Sequence, residues 1–180
     1  DVLALLALQD DASPYDVIGG SYPRKTHDWQ AIHRAAQGGA AAGDLPRFGG
    51  DIPVYAPGAA GRQIRLDQPL EAECIAGGYA LIRRATYERL IETCPDIAFI
   101  PDPAERAGTG LGEVGYAFHS PGIDPVTKRL LSEDFAFCGR VRRAGMKVWL
   151  APWVHADHIG NHRFTGTLID AARLRSAPSN

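Results

Sequence analysis

Two adjacent acids, Glu133 and Asp134, stand at the start of a predicted helix over residues 132–144. Ser132 supplies a capping hydroxyl ahead of the acids, and Gly145 ends the helix. Acids in a first helical turn complement the helix dipole in any protein, and this structural interpretation explains the pair by itself. The functional alternative is that one carboxylate faces a cleft and accepts a proton as a general base, which the activation of a hydroxyl group requires.

Three histidines, His155, His158 and His162, lie within one short polar segment. Neutral imidazole is a good ligand for divalent metal ions, and Gly160 would allow a turn that brings His158 close to a metal. The alternative is a set of ordinary surface histidines, since no zinc-type spacing with cysteine is present. Of the three, we expect His158 to face the cleft and the other two to be peripheral.

A third candidate is the segment Tyr22-Pro23-Arg24-Lys25, which follows a predicted strand and a Gly-Gly turn. Loops at strand ends are where α/β sheets bind ligands, and an Arg-Lys pair suits the charge of a diphosphate. An ordinary solvated basic turn is the alternative.

The periodicity of apolar residues predicts the elements that must position these groups. Helices are expected over Val2–Leu8, capped by Asp1, and over residues 84–94 and 132–144; strands over residues 15–20, 70–82 with an interruption at Gly77-Gly78, and 147–150. Alternating strands and helices indicate an α/β fold. Long loops are predicted over residues 37–61, with a small hairpin at 52–55, and over 101–125, and a frayed tail over 176–180.

Composition limits the classes of function. The 180 residues are 45% hydrophobic, which favours one domain over residues 1–180. A net charge of -2 gives no basic field, so we expect no nucleic-acid partner. The three cysteines (Cys74, Cys94 and Cys138) are odd in number, widely spaced and not in a Cys-x-x-Cys pair. They disfavour a disulfide framework and a thiolate zinc site and indicate a reducing, cytoplasmic compartment. No apolar run reaches the ~18 residues typical of a transmembrane helix.

The order of these segments resembles a group of bacterial and phage-associated GT-A glycosyltransferases. Members of the group read roughly YPxK, GxGxxLIxR, SEDxxFCxR and HxG in that order, and this chain reads SYPRK, AGGYALIRR, SEDFAFCGR and HIG. The resemblance covers residues 1–166, and the block from SEDFAFC to HIG is its specific part. It implies a mixed sheet flanked by helices, as in the Rossmann-like nucleotide-diphospho-sugar transferases.

The resemblance also implies a reaction. A sugar would pass from a nucleotide-sugar donor to a hydroxyl acceptor, such as a glycan, with a divalent metal, Mn²⁺ or Mg²⁺, at the diphosphate. His158 would be a metal ligand, and the acidic pair would lie near the acceptor, where an inverting enzyme keeps its base. We favour Asp134 over Glu133 for that role, and we expect the helix dipole to lower the Asp134 pKa and keep the group ionised.

The remaining matches concern substrate contacts. Gly77 and Gly78 match the place where the backbone passes close to substrate, for which a missing side chain is useful. Tyr22, Arg24 and Lys25 match the substrate-binding YPxK segment.

The chain also departs from the pattern of the group. Ala76 stands where the glycine motif would begin, and no DxD motif occurs in a suitable place, since Asp10 and Asp11 lie in a loop and Asp16 begins a strand. Related sequences carry DxD just before a helix like Val2–Leu8. We therefore expect an upstream segment with two strands, a helix and a DxD motif, so that the chain is the carboxy-terminal portion of a larger fold.

Two rival functions follow from these departures. One is a non-catalytic carbohydrate-binding or interaction domain that kept the fold and lost the donor site. The other is a metal-dependent hydrolase built from the histidine cluster and the nearby Asp157. The retained SED and HIG motifs oppose the first, and the absence of a partner elsewhere in the sequence opposes the second.

Overall fold

The computed structural model describes residues 2–10, 12–57, 64–110 and 112–176. The proposed helix cap at Asp1, the residue Asp11 and the tail at 177–180 lie outside the described residues. The helices are α1 Val2–Leu8, α2 Trp29–Gln37, α3 Leu45–Phe48, α4 Arg84–Thr93, α5 Pro103–Thr109, α6 Glu133–Arg143 and α7 Leu168–Ser176. The strands are β1 Val17–Ser21, β2 Leu70–Ala72, β3 Ala80–Ile82, β4 Ala98–Phe99, β5 Gly115–Tyr116, β6 Gly122–Ile123, β7 Leu130–Leu131, β8 Val148–His155, β9 His158–Ile159 and β10 Arg163–Phe164.

The main sheet has four strands in the order β2-β8-β1-β3. The two central strands, β1 and β8, run parallel, and the edge strands β2 and β3 run antiparallel to their neighbours. Every residue of β1 is buried, which explains why its sequence is a short apolar run rather than an alternating one. The predicted α/β class with a mixed sheet flanked by helices is therefore confirmed.

Successive residues of β1 point to opposite faces of the sheet and enter separate cores. Val17 belongs to the larger core, where α4 and α6 contribute residues such as Leu90, Phe137 and Val141. Ile18 belongs to the smaller core, where it packs with Leu5 of α1. Helices thus cover both faces, and the start of α6 is fixed close to the sheet because its apolar face is buried.

The single strand predicted over residues 70–82 is instead two strands at opposite edges of the sheet. β2 pairs with β8, whereas β3 pairs with β1, and a 3-10 turn at Gly77–Tyr79 precedes β3. The buried residues Cys74 and Ile75 carry the chain across the sheet. Because Ala80 pairs with Gly19, the turn lies at the carboxyl end of β1.

The two predicted loops contain helices. Residues 37–61 include α3, and Tyr55 forms a bridge to Cys74 where a local hairpin was predicted. Residues 101–125 include α5, which begins with Asp102 accepting a hydrogen bond from the Ala104 N–H at 2.8 Å. Helices α2 and α7 were not predicted from the sequence. No helix in the described part of the chain is long and apolar enough to cross a membrane.

Candidate functional site

A cavity of about 390 Å³ opens where the carboxyl end of β1, the following loop and the start of α6 meet. Ligands of α/β proteins bind at this edge of the sheet, because the loops that follow the strands converge there. The lining includes Tyr22, Arg24, Lys25, Asp134 and His158, together with Tyr55, Ile75, Phe135 and Leu150. Residues from the YPxK, SED and HIG segments are thereby brought into one pocket.

Asp134 is held against the Gly77–Tyr79 turn by a hydrogen bond. Its Oδ1 accepts from the Gly77 N–H at 2.9 Å. A Cβ atom at Gly77 would lie 2.6 Å from that oxygen, so the glycine leaves room for the carboxylate. The predicted cap is wrong, because the Ser132 side chain makes no cap hydrogen bond to α6. Glu133 is exposed and is not part of the cavity lining.

The pKa of Asp134 is raised above its ordinary value, mainly because burial disfavours the charged carboxylate. The Gly77 N–H and His119 favour the ionised form, while the neighbouring Glu133 charge opposes it. The expectation that the helix dipole would lower this pKa is therefore wrong. The cost of desolvating the carboxylate is larger than the stabilisation that the amino-terminal end of α6 gives its charged form. Asp134 is therefore a stronger base than an exposed aspartate.

Tyr22 binds the next residue of the same turn. Its hydroxyl accepts a hydrogen bond from the Gly78 N–H at 3.1 Å, and a Cβ atom at Gly78 would lie 2.7 Å from that oxygen. Burial raises the pKa of the Tyr22 hydroxyl. Both glycines are therefore explained by the close approach of side chains, and the turn is fixed by two groups from distant parts of the sequence.

His158 lies beside Tyr22, with the two ring centroids 5.4 Å apart in an edge-on arrangement. Its Nδ1 is 3.2 Å from the Pro23 carbonyl oxygen. A carbonyl can only accept, so Nδ1 carries the proton and Nε2 keeps its lone pair for a ligand. His155 and His162 are exposed and are not part of the cavity lining, in agreement with the expected difference between the three histidines.

The residues present do not form a complete site for the divalent metal that the resemblance implies. Among the described residues, no group of three or more histidine, cysteine, aspartate or glutamate side chains could hold a metal ion. His158 offers one nitrogen, and Asp134 already accepts the Gly77 N–H through one oxygen.

The two cations of the YPxK segment differ in how they are held. Arg24 Nη1 donates to Asp51 Oδ2 at 3.1 Å, and Arg24 Nη2 donates to the Tyr55 hydroxyl. Lys25 makes no ion pair with any residue in the described ranges and lies beside Gly160 of the β9–β10 turn. Arg24 is thus oriented by its neighbours, whereas Lys25 offers a free charge at the cavity.

One wall of the cavity is aromatic and was missed in the sequence. Tyr55 and Phe135 contact each other edge-on with ring centroids 4.8 Å apart. Phe135 directly follows Asp134, so its position in the first turn of α6 was a usable signal. Tyr55 gave none, because it reaches the cavity only through its bridge to Cys74.

Comparisons of this chain with protein-family models, with curated proteins and with solved structures found no match. The functional roles of the cavity residues thus remain predictions that depend on the motif resemblance and on the geometry of the cavity.

Proposed function

We propose that this chain is the catalytic portion of a glycosyltransferase that moves a sugar from a nucleotide-sugar donor to a hydroxyl acceptor with inversion at the anomeric carbon. The observation that carries the proposal is the convergence of Asp134, the Arg24-Lys25 pair and His158 on one cavity. A base for the acceptor hydroxyl and cations for the diphosphate are groups that such a transfer needs, and His158 would be a ligand of the metal that the resemblance implies. Their separation in sequence makes an accidental surface cluster a poorer explanation.

In the proposed reaction, the acceptor oxygen forms a bond to the anomeric carbon of the donor sugar. The bond from that carbon to the diphosphate oxygen breaks, and its electron pair leaves with the diphosphate. Asp134 takes the proton of the acceptor hydroxyl, for which its raised pKa is suited. Arg24 and Lys25 offset the charge that develops on the leaving diphosphate.

Mn²⁺ or Mg²⁺ remains part of the proposal through the resemblance alone. A divalent ion at the diphosphate would supply Lewis-acid stabilisation of the leaving group. His158 would contribute Nε2, and diphosphate oxygens would be further ligands.

The test compares Asp134→Asn with Glu133→Gln in the protein that carries this chain. Asparagine keeps an oxygen that can accept the Gly77 N–H and removes the charge, so the turn stays in place. We expect turnover to fall by roughly 10²-fold or more with donor affinity little changed, the range of a lost general base. Glu133→Gln should leave turnover closer to that of the wild type, since Glu133 is exposed and outside the cavity lining. Any effect of this variant should fall first on acceptor binding or stability.

The readouts are transfer rate by mass spectrometry and donor affinity by calorimetry, using UDP-glucose, UDP-galactose and GDP-mannose with Mn²⁺ or with a chelator. Near-normal turnover in Asp134→Asn would remove Asp134 as the base. Absence of any nucleotide-sugar binding would count against the transferase function itself.

The second candidate is a carbohydrate-binding or interaction domain without catalysis. It is favoured by one observation, the lack of a three-ligand metal group among the described residues. This alternative predicts saccharide binding that is indifferent to nucleotide sugars and to the charge of Asp134.

A further inference from the structure

A second concave surface lies next to the cavity, at the start of α2. It is an open depression of about 440 Å³ lined by Thr26, His27, Asp28, Trp29, Gln30 and Asp51. We infer that this depression, here called the Trp29 platform, binds the saccharide acceptor as a neutral pyranose stacked on the Trp29 ring. That this saccharide is the acceptor rests on the proposed function, but saccharide binding at the platform can be tested separately.

The Trp29 and His27 rings of the platform belong to a larger aromatic cluster. The His27 ring centroid lies 5.1 Å from that of Trp29, 4.7 Å from that of His162 and 4.9 Å from that of Phe164. Trp29 nevertheless stays 70% exposed. Leaving so large an apolar ring in water forfeits the gain from burial, which a ligand on the ring would recover.

The polar groups around the ring match hydroxyl donors. Asp28 uses Oδ1 to accept the Ala31 N–H at 2.9 Å as the cap of α2, so Oδ2 remains available. Asp51 uses Oδ2 for Arg24, so Oδ1 remains available. Ionised carboxylates only accept hydrogen bonds, and the Gln30 amide both donates and accepts. The hydroxyl groups of a pyranose can donate to the two carboxylates and can both donate to and accept from the amide.

The charge of the platform disfavours anionic ligands. Its lining contains two carboxylates, one of them paired with Arg24, and it gives a nucleotide or another anion no lysine or arginine to pair with. The C–H bonds on one face of a pyranose carry slight positive charge, which suits the negative face of an aromatic ring. A neutral sugar therefore fits both the ring and the carboxylates.

The platform is joined to the cavity by an ion pair. Arg24 lines the cavity, Asp51 lines the platform, and their Nη1–Oδ2 distance is 3.1 Å. A saccharide acceptor that extends from Trp29 past this ion pair would enter the cavity that holds Asp134.

The experiment measures binding to the methyl glycosides of glucose, galactose, mannose and N-acetylglucosamine by saturation-transfer NMR. Trp29→Ala removes the ring, Trp29→Phe keeps an aromatic surface, and Ile100→Ala is a control that shortens an apolar side chain 81% exposed elsewhere on the surface. UDP-glucose binding is measured on all variants. A tetralysine peptide tests the alternative that the ring and carboxylates bind a cationic chain.

We expect Trp29→Ala to weaken glycoside binding by about ten-fold or more, with Trp29→Phe retaining part of it and Ile100→Ala all of it. Binding of UDP-glucose should be unchanged. If glycoside binding depends on Trp29 but UDP-glucose does not bind the wild-type protein, the platform stands and the transferase proposal fails. The platform is overturned if the wild-type protein binds no glycoside, if Trp29→Ala binds as the wild type does, or if only tetralysine binding depends on Trp29.

Discussion

The cavity and the Trp29 platform are built in opposite ways. The cavity depends on contacts between residues far apart in sequence: Asp134 reaches Gly77 across 57 positions, Tyr22 reaches Gly78 across 56, and His158 reaches Pro23 across 135. The platform is mostly one consecutive segment at the start of α2. Substitutions at the packed positions of the cavity, such as the end of β1, should therefore change stability and binding together, whereas substitutions on the platform should change binding alone.

The largest loss of stability is expected for Gly20→Ala, at the carboxyl end of β1. A Cβ atom there would lie 2.6 Å from Val154 Cγ1 and 2.7 Å from Tyr79 Cδ1. Overpacking of this kind costs about 1–3 kcal/mol of unfolding free energy. Urea titration measures the loss, and binding of UDP-glucose should weaken in parallel because Gly20 lines the cavity.

Gly139→Ala is the matched control for this variant. The added Cβ meets only Arg143 Nη1 at 3.4 Å, and Gly139 lies inside α6, so the free energy of unfolding should rise by up to about 1 kcal/mol. Equal stability of the two alanine variants would contradict the close packing assigned to the end of β1.

A smaller effect is expected for Tyr22→Phe, which removes the hydroxyl that accepts the Gly78 N–H. The free energy of unfolding should fall by about 0.5–1.5 kcal/mol, the usual range for one hydrogen bond. Hydrogen exchange of the Gly78 amide should accelerate at the same time. Unchanged exchange would show that the turn does not depend on Tyr22.

The raised pKa of Asp134 predicts a pH dependence of stability that originates in the cavity. The folded protein holds this proton more tightly than the unfolded chain, since the pKa is raised from 3.8. The free energy of unfolding should therefore fall as pH rises from that value through the folded-state pKa. Urea titrations at a series of pH values should show this loss in the wild type and not in Asp134→Asn. Identical pH profiles would refute the raised pKa.

The smallest change in stability is expected for Trp29→Ala. The ring is largely exposed, so the free energy of unfolding should change by no more than about 0.5 kcal/mol. Thermal unfolding measures it beside the glycoside binding described above. A loss comparable to that of Gly20→Ala would mean that the aromatic cluster belongs to the core, and the contrast between the two regions would disappear.

The sequence was informative where local rules decide the structure. The bounds of α1 match the predicted helix, and α4 and α6 match theirs within two residues, because apolar periodicity and chain-breaking residues act over a few positions. The chemistry-bearing segments were also visible, since an acidic pair, a histidine cluster and a basic loop are local features. The start of α5 also has a local helix signal, an aspartate followed by proline. The surrounding glycines and prolines nevertheless indicated a loop.

Tertiary structure alone decided how those segments meet. β2 and β3 look like one strand in sequence, and only pairing with β8 and β1 sends them to opposite edges and sets the Gly77–Tyr79 turn at the end of β1. The pKa of Asp134 also could not be predicted from local sequence. The helix dipole can be inferred from sequence, but the desolvation that outweighs it comes from residues packed around the carboxylate by the fold.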